Sequence, residues 1–273
     1  MSTRSALLTL ALLGLVVITG LALGQTLRAQ PSTAELILEC ARRNWVEGTF
    51  HGTIRMDLFR PDYSKEYRLE AWTSGSDKAF IRVLEPKEES GSGYLKTGDD
   101  LWYFTPSAGQ AISLPPSSLS ESFFGADLSL EDLYRGTLSE DYDVTLLGSR
   151  PATTDESDIQ GDQIHQLRLV PKPDAAVIYG QLELQIRASD CAVLVLDYYD
   201  QRQTLIRQAK FSQFVRVGQD AQVRSIPLQM TFDDLLKQGS RTIETVEAYE
   251  FDMVIPDQRF TLGCLVSDLC GSS

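Results

Sequence analysis

Two histidines, His51 and His165, four cysteines and a scatter of adjacent acids are the side chains in this 273-residue chain with most chemistry to offer. A catalytic histidine needs a nucleophile to deprotonate and a third group to orient its ring. No nucleophile motif accompanies either one; both fall at alternating positions of strand-like segments, where a surface or packed role suffices. There is no GxSxG elbow, GxxxxGK[ST] phosphate loop, HExxH pair or GxGxxG dinucleotide fingerprint. Adjacent acids occur at Glu88-Glu89, Asp99-Asp100, Glu131-Asp132 and Asp233-Asp234. Neighbours on a strand point to opposite faces and acids at turns are solvated, so adjacency alone does not make a general acid and base. A hydrolase would need two buried acids brought together in a cavity, and nothing in the sequence singles out such a pair. Cys40, Cys191, Cys264 and Cys270 lack the CxxC and histidine spacing of a zinc site, so neither a metal nor another cofactor is expected. They suit disulfides, with three full pairings open and Cys264 close enough to Cys270 to staple the C-terminal tail.

What stands out is apolar. Leu101-Trp102-Tyr103-Phe104 is a continuous apolar strand, and Phe123-Phe124 follows in a helical stretch. Such aromatics either fill an ordinary core or line a cavity that a curved sheet encloses and helices gate. Aromaticity and strand parity give the candidate lining as Ile54, Met56, Leu58, Trp72, Trp102, Phe104, Phe123, Phe124, Leu182 and Leu184. Each methylene buried there contributes about 0.8 kcal/mol, so a ligand would be held by area more than by chemistry.

The elements that position these residues are mostly strands. Ser32 followed by Glu35 is a capping box, and Ile37, Cys40, Ala41 and Trp45 recur at helical spacing, which predicts an amphipathic helix over 32–45. After Gly48 the period changes to two, with Phe50, Gly52, Ile54, Met56 and Leu58 on one face. Similar runs follow at 66–73, 78–84, 94–97, 100–105 and 109–114. Residues 115–136 break the spacing with two short helical candidates. Strands resume at 142–147, Thr153–Asp162 reads as an acidic surface loop, and further runs occupy 163–170, 178–187, 193–199, 204–215, 223–232 and 242–252. The sum is taken as roughly eleven strands in a mainly β chain with short helices. Strands joined by turns imply an antiparallel sheet, expected to curl into an incompletely closed barrel with the helical segments against its mouth.

The N-terminus reads as an export signal. Arg4 precedes an uncharged run from Ala6 to Leu23, and Ala22-Leu23-Gly24 offers small residues for cleavage, predicting a signal peptide over 1–24 and a single domain over 25–273. The run is also at the lower limit for a membrane span, so an uncleaved anchor is the alternative. The first cysteine, Cys40, is too far in for lipidation at the cleavage site. Net charge is -13, which gives no electrostatic footprint for nucleic acid.

The order of motifs resembles a known family. Gly93-Tyr94-Leu95-Lys96, Asp100 through Pro106 and Ser122 through Leu133, then Tyr198-Tyr199-Asp200, Pro227 through Met230 and Ile255 through Thr261, are similar to the outer membrane lipoprotein-sorting proteins of the LolA-like family. The resemblance spans about Ala34 to Leu265. It implies an open β-barrel with helices over its mouth, an apolar cavity for acyl chains and a periplasmic location. It also implies a non-enzymatic carrier or chaperone for lipoproteins or other lipids moving between the inner and outer membranes. Its partners would be an inner-membrane ABC or RND-type transporter and an outer-membrane acceptor. The alternative is a periplasmic sensor or accessory module of an envelope regulator or exporter that uses the same barrel to bind a protein.

Overall fold

The computed structural model describes residues 31–134, 138–153, 161–219, 223–267 and 270. The predicted signal segment and most of the acidic loop at 153–162 lie outside the described residues. The capping box forms as expected: Ser32 Oγ accepts from the Glu35 N–H at 3.2 Å, and the Glu35 carboxylate accepts from the Ser32 N–H. It starts α1, Thr33–Val46, which buries Ala34, Leu38 and Ala41. Trp45, expected on the buried face, is 44% exposed, although its ring meets Phe211 edge-on at 4.9 Å. Gly48, at φ +81°, then turns the chain into the sheet, where a Cβ would collide with Asp252 and Arg224.

Thirteen strands form one antiparallel sheet. They are β1 Thr49–Phe59, β2 Ser64–Ser74, β3 Lys78–Glu85, β4 Gly93–Thr97, β5 Asp100–Phe104, β6 Ala111–Leu114, β7 Tyr142–Pro151, β8 Gln163–Pro171, β9 Gln181–Arg187, β10 Val193–Tyr199, β11 Leu205–Val217, β12 Arg224–Asp234 and β13 Arg241–Phe251. The expected total of about eleven understates the sheet, although each strand falls on one of the runs named from the sequence, including the short β4, β5 and β6 of five, five and four residues. The spatial order is β6-β5-β4-β3-β2-β1-β13-β12-β11-β10-β9-β8-β7. Two meanders are thus joined where β1 pairs with β13, and β6 and β7 are left as edges, so the barrel is not closed. Between β6 and β7 in chain order lie α2, Leu130–Tyr134, and α3, Leu138–Asp141. Around α2, Asp127 pairs with Arg60 and bonds Thr242 of β13, and Asp132 pairs with Arg207 of β11, so this part of the chain packs against the middle of the sheet.

Alternation puts one side chain of every pair on an inner face. Its cluster collects Met56, Leu69, Ile81, Leu167, Leu184 and Phe211, from both meanders, around one core. In β2 to β5 the outer face is apolar too. Trp72, Phe80, Leu95 and Phe104 form a second cluster with Phe260 and Leu265 of the C-terminal segment, which contains α4, Leu262–Val266. Arg82 donates to the Cys264 carbonyl, Lys78 pairs with Asp257 at 2.7 Å, and the Arg259 guanidinium lies 4.4 Å from the Trp72 ring centre.

The cysteines pair Cys40 with Cys191 and Cys264 with Cys270. The first bond ties α1 to the β9–β10 turn. Beside it, Asn44 donates to the Asp190 carbonyl and accepts from the Ser225 N–H, each at 3.0 Å. Burial would raise the Asp190 carboxyl, but bonds from Arg187, Ser225 and the Ala192 amide outweigh it and hold the pKa below its ordinary value. A helix held by a disulfide and a buried amide is a fixed wall of the barrel.

Candidate functional site

The inner face encloses a cavity of about 390 Å³, within the roughly 300–1,000 Å³ range of small-molecule sites. α1 lines it with Leu38, Ala41 and Trp45, the N-terminal meander with Phe50, Ile54, Leu69, Ala71 and Ile81, and the C-terminal meander with Leu182, Leu184, Leu196, Phe211, Met230 and Phe232. Phe123 and Leu128 contribute from the segment between the edge strands. Phe124 has φ +47° and Gly125 φ +78°. Two left-handed residues in succession let Phe123 and Phe124 both turn inward, where they pack against Tyr94 at 5.5 and 5.2 Å.

The candidate lining residues divide three ways. Ile54, Phe123, Leu182 and Leu184 border the cavity. Met56 and Leu58 belong to the same inner core but are not among the lining residues, and Phe124 packs with Tyr67, Tyr94 and Tyr103. Trp72, Trp102 and Phe104 project to the opposite face, against the C-terminal segment. On β5 it is Leu101 and Tyr103 that point inward.

A polar cluster borders this apolar space. Arg207 on β11 pairs with Asp132 of α2 at 2.6 Å, with side chains 12% and 8% exposed. Arg207 also donates to the Asp127 carbonyl and to the Tyr179 hydroxyl, and its guanidinium lies 4.0 Å from the Tyr198 ring centre. Burial works against the charge of Arg207, but Asp132 and the two tyrosines outweigh it and raise its pKa. Asp132 also accepts from the Ser129 N–H and hydroxyl, both at 2.7 Å, so its charge is well satisfied.

Glu244 on β13 is different. It is 4% exposed, pairs across strands with Met56 and Met230, and borders the cavity. No described residue gives its carboxyl a hydrogen bond or an ion pair. Burial, with a smaller contribution from the Asp132 charge, pushes its pKa up to about 7. Glu131, Asp132 and Glu244 are all buried acids beside the cavity, but Glu131 has an interaction of its own and Asp132 is committed to Arg207 and Ser129. What the arrangement offers chemically is one uncommitted acceptor in an apolar space.

No signal in the sequence singles out Tyr179, Arg207 or Glu244, whereas Tyr198 stands there only within a family motif and Asp132 only as an adjacent acid. The alternation predicts a strand from 178 that includes Tyr179, yet β9 begins at Gln181. Gly180 passes so close to the Asp200 carbonyl that the alternation ends there, and Tyr179 turns inward to Arg207. The histidines sit elsewhere: His51 stacks on Trp72 at 4.8 Å and contacts Glu70, and His165 meets the Ser149 hydroxyl at 2.7 Å on an exposed part of the sheet. Among the described residues no group of His, Cys, Asp and Glu is placed to hold a metal ion.

A 13-stranded open antiparallel sheet, with a few short helices and an apolar cavity inside, defines a LolA-like fold. Solved structures with this architecture include a LolA superfamily protein from Nitrosomonas europaea, 24% identical, with a TM-score of 0.68 over 85% of this chain and 98% of that one. A DUF1329 family protein from Desulfovibrio piger is 21% identical, with a TM-score of 0.72 over 85% and 97% of the two chains. An outer membrane lipoprotein-sorting protein domain from Vibrio parahaemolyticus is 18% identical, with a TM-score of 0.71 over 86% and 98%. Residues 75–266 match the model of a family described as "Uncharacterized protein", and the chain belongs to that family. No curated protein sequence matches it.

Proposed function

We propose that this protein is a non-enzymatic periplasmic carrier for lipoproteins or other lipids, which binds acyl chains in the inner cavity. The observation that carries this reading is the apolar space of about 390 Å³ bounded by both meanders, α1 and Phe123. An alkyl chain of about twelve carbons buried there contributes roughly 9 kcal/mol gross at 0.8 kcal/mol per methylene. Association costs of about 4–15 kcal/mol offset much of that, which suits a carrier that must also release its load. Export through the signal segment at 1–24 is part of the proposal, and the two disulfides agree with an oxidising compartment. The likeness to a lipoprotein-sorting domain supports the cargo class, with an inner-membrane transporter as donor and an outer-membrane acceptor as recipient.

The test has two parts. Protein purified natively from the envelope is extracted and its lipids identified by mass spectrometry, and the emptied protein is titrated with a fluorescent naphthylamine. Co-purifying acylated material and saturable probe binding are expected. An interior that carries no lipid and binds no probe would overturn the proposal.

A further inference from the structure

An apolar cavity alone would accept any alkyl chain, but this one has an acceptor that the protein leaves unused. Glu244 is 4% exposed, faces the cavity, and receives no hydrogen bond or counter-charge from any described residue. A buried carboxyl left without a partner costs free energy in the empty protein. The neighbouring charges do not relieve it. Arg207 is taken up by Asp132, Tyr179 and the Asp127 carbonyl, and Asp132 adds a like charge. The flanking cross-strand partners, Met56 and Met230, have only apolar atoms and a weakly accepting sulfur to offer.

We infer that the cavity selects amphiphiles whose buried end carries a hydrogen-bond donor, a hydroxyl or an amine, which Glu244 receives. A donor there satisfies the carboxyl, whereas a carboxylate head would bring a second acceptor and a like charge. Selection by Glu244 thus deepens the carrier reading and rests on it.

Three probes of equal chain length separate the possibilities: 1-dodecanol, dodecylamine and dodecanoate, each displacing the bound naphthylamine below its aggregation limit at pH 8. The expected order places the alcohol, the amine or both about tenfold or more tighter than the carboxylate, as one hydrogen bond to a buried charged group allows. Which of the two binds better identifies the donor. In Glu244→Leu the preference collapses and dodecanoate gains. Glu244→Gln keeps the side-chain shape and an acceptor, and retains part of the preference for the alcohol. Equal binding of the three probes, or an order unchanged in Glu244→Leu, overturns the head-group inference and leaves the carrier proposal standing. Failure of every probe to bind overturns both.

Discussion

Arg207 of β11 and Asp132 of α2 meet at 2.6 Å, linking the C-terminal meander to the segment that connects β6 to β7 in the chain. A buried ion pair of this kind is worth little against an apolar replacement of the same size, but breaking one half leaves an uncompensated charge. Arg207→Met is expected to cost about 3–5 kcal/mol. The double variant Arg207→Met with Asp132→Leu should lose less than the single one. Urea unfolding of the four members of the cycle checks this, and additive losses would contradict it.

Glu244 predicts a pH dependence. Its carboxyl is held up to about 7 in the folded protein, against an ordinary value of 4.5, so the folded chain binds this proton more tightly than the unfolded one. The contribution is complete below pH 4.5, declines as pH rises from there through about 7, and is gone above. Its size is on the order of 3 kcal/mol. Between pH 5 and pH 8 the stability of the parent, read from unfolding midpoints, should fall relative to that of Glu244→Gln, because this titration destabilises only the parent. A difference independent of pH would refute this.

The Cys40–Cys191 bond closes 151 residues of chain. On a chain-entropy account its loss costs up to about 5 kcal/mol, commonly 2–5. In Cys40→Ala with Cys191→Ala, α1 is then held by Asn44 and its apolar stripe, so limited proteolysis should cut first near residues 31–48. Protease resistance equal to the parent's would show that the packing alone fixes the helix.

The two faces of the sheet should respond differently. Leu184→Phe narrows the cavity and is expected to weaken naphthylamine binding about tenfold, a change of about 1.4 kcal/mol. Phe260→Ala opens the outer cluster and should cost about 3–5 kcal/mol in stability with probe affinity unchanged. Fluorescence titration and urea unfolding of both variants distinguish the faces.

Much of the architecture is legible in the residues. Ser32 and Glu35 start α1 because their side chains satisfy N–H groups that a helix leaves open. Ile54, Leu182 and Leu184 share the inner face because side chains alternate along a strand. Alternation cannot say which of two apolar faces is concave, however. Leu101-Trp102-Tyr103-Phe104 is apolar at every position, and the C-terminal segment that covers Trp102 and Phe104 arrives from more than 150 residues away. The curvature of the sheet therefore placed Trp102 and Phe104 on the outside.

Glu244 marks the same boundary. In Thr242-Ile243-Glu244-Thr245-Val246 both parities mix polar and apolar residues, and local pattern assigns neither to the core. Pairing of β13 with both β1 and β12 turns Glu244 inward between Met56 and Met230. Local spacing by itself determined the helix cap, the strands and the antiparallel order, because those depend on neighbours in the chain. Only the tertiary structure decided which cysteines pair, which face holds the cavity and which acid is left without a partner among the described residues, because each depends on residues that meet only when the sheet curls.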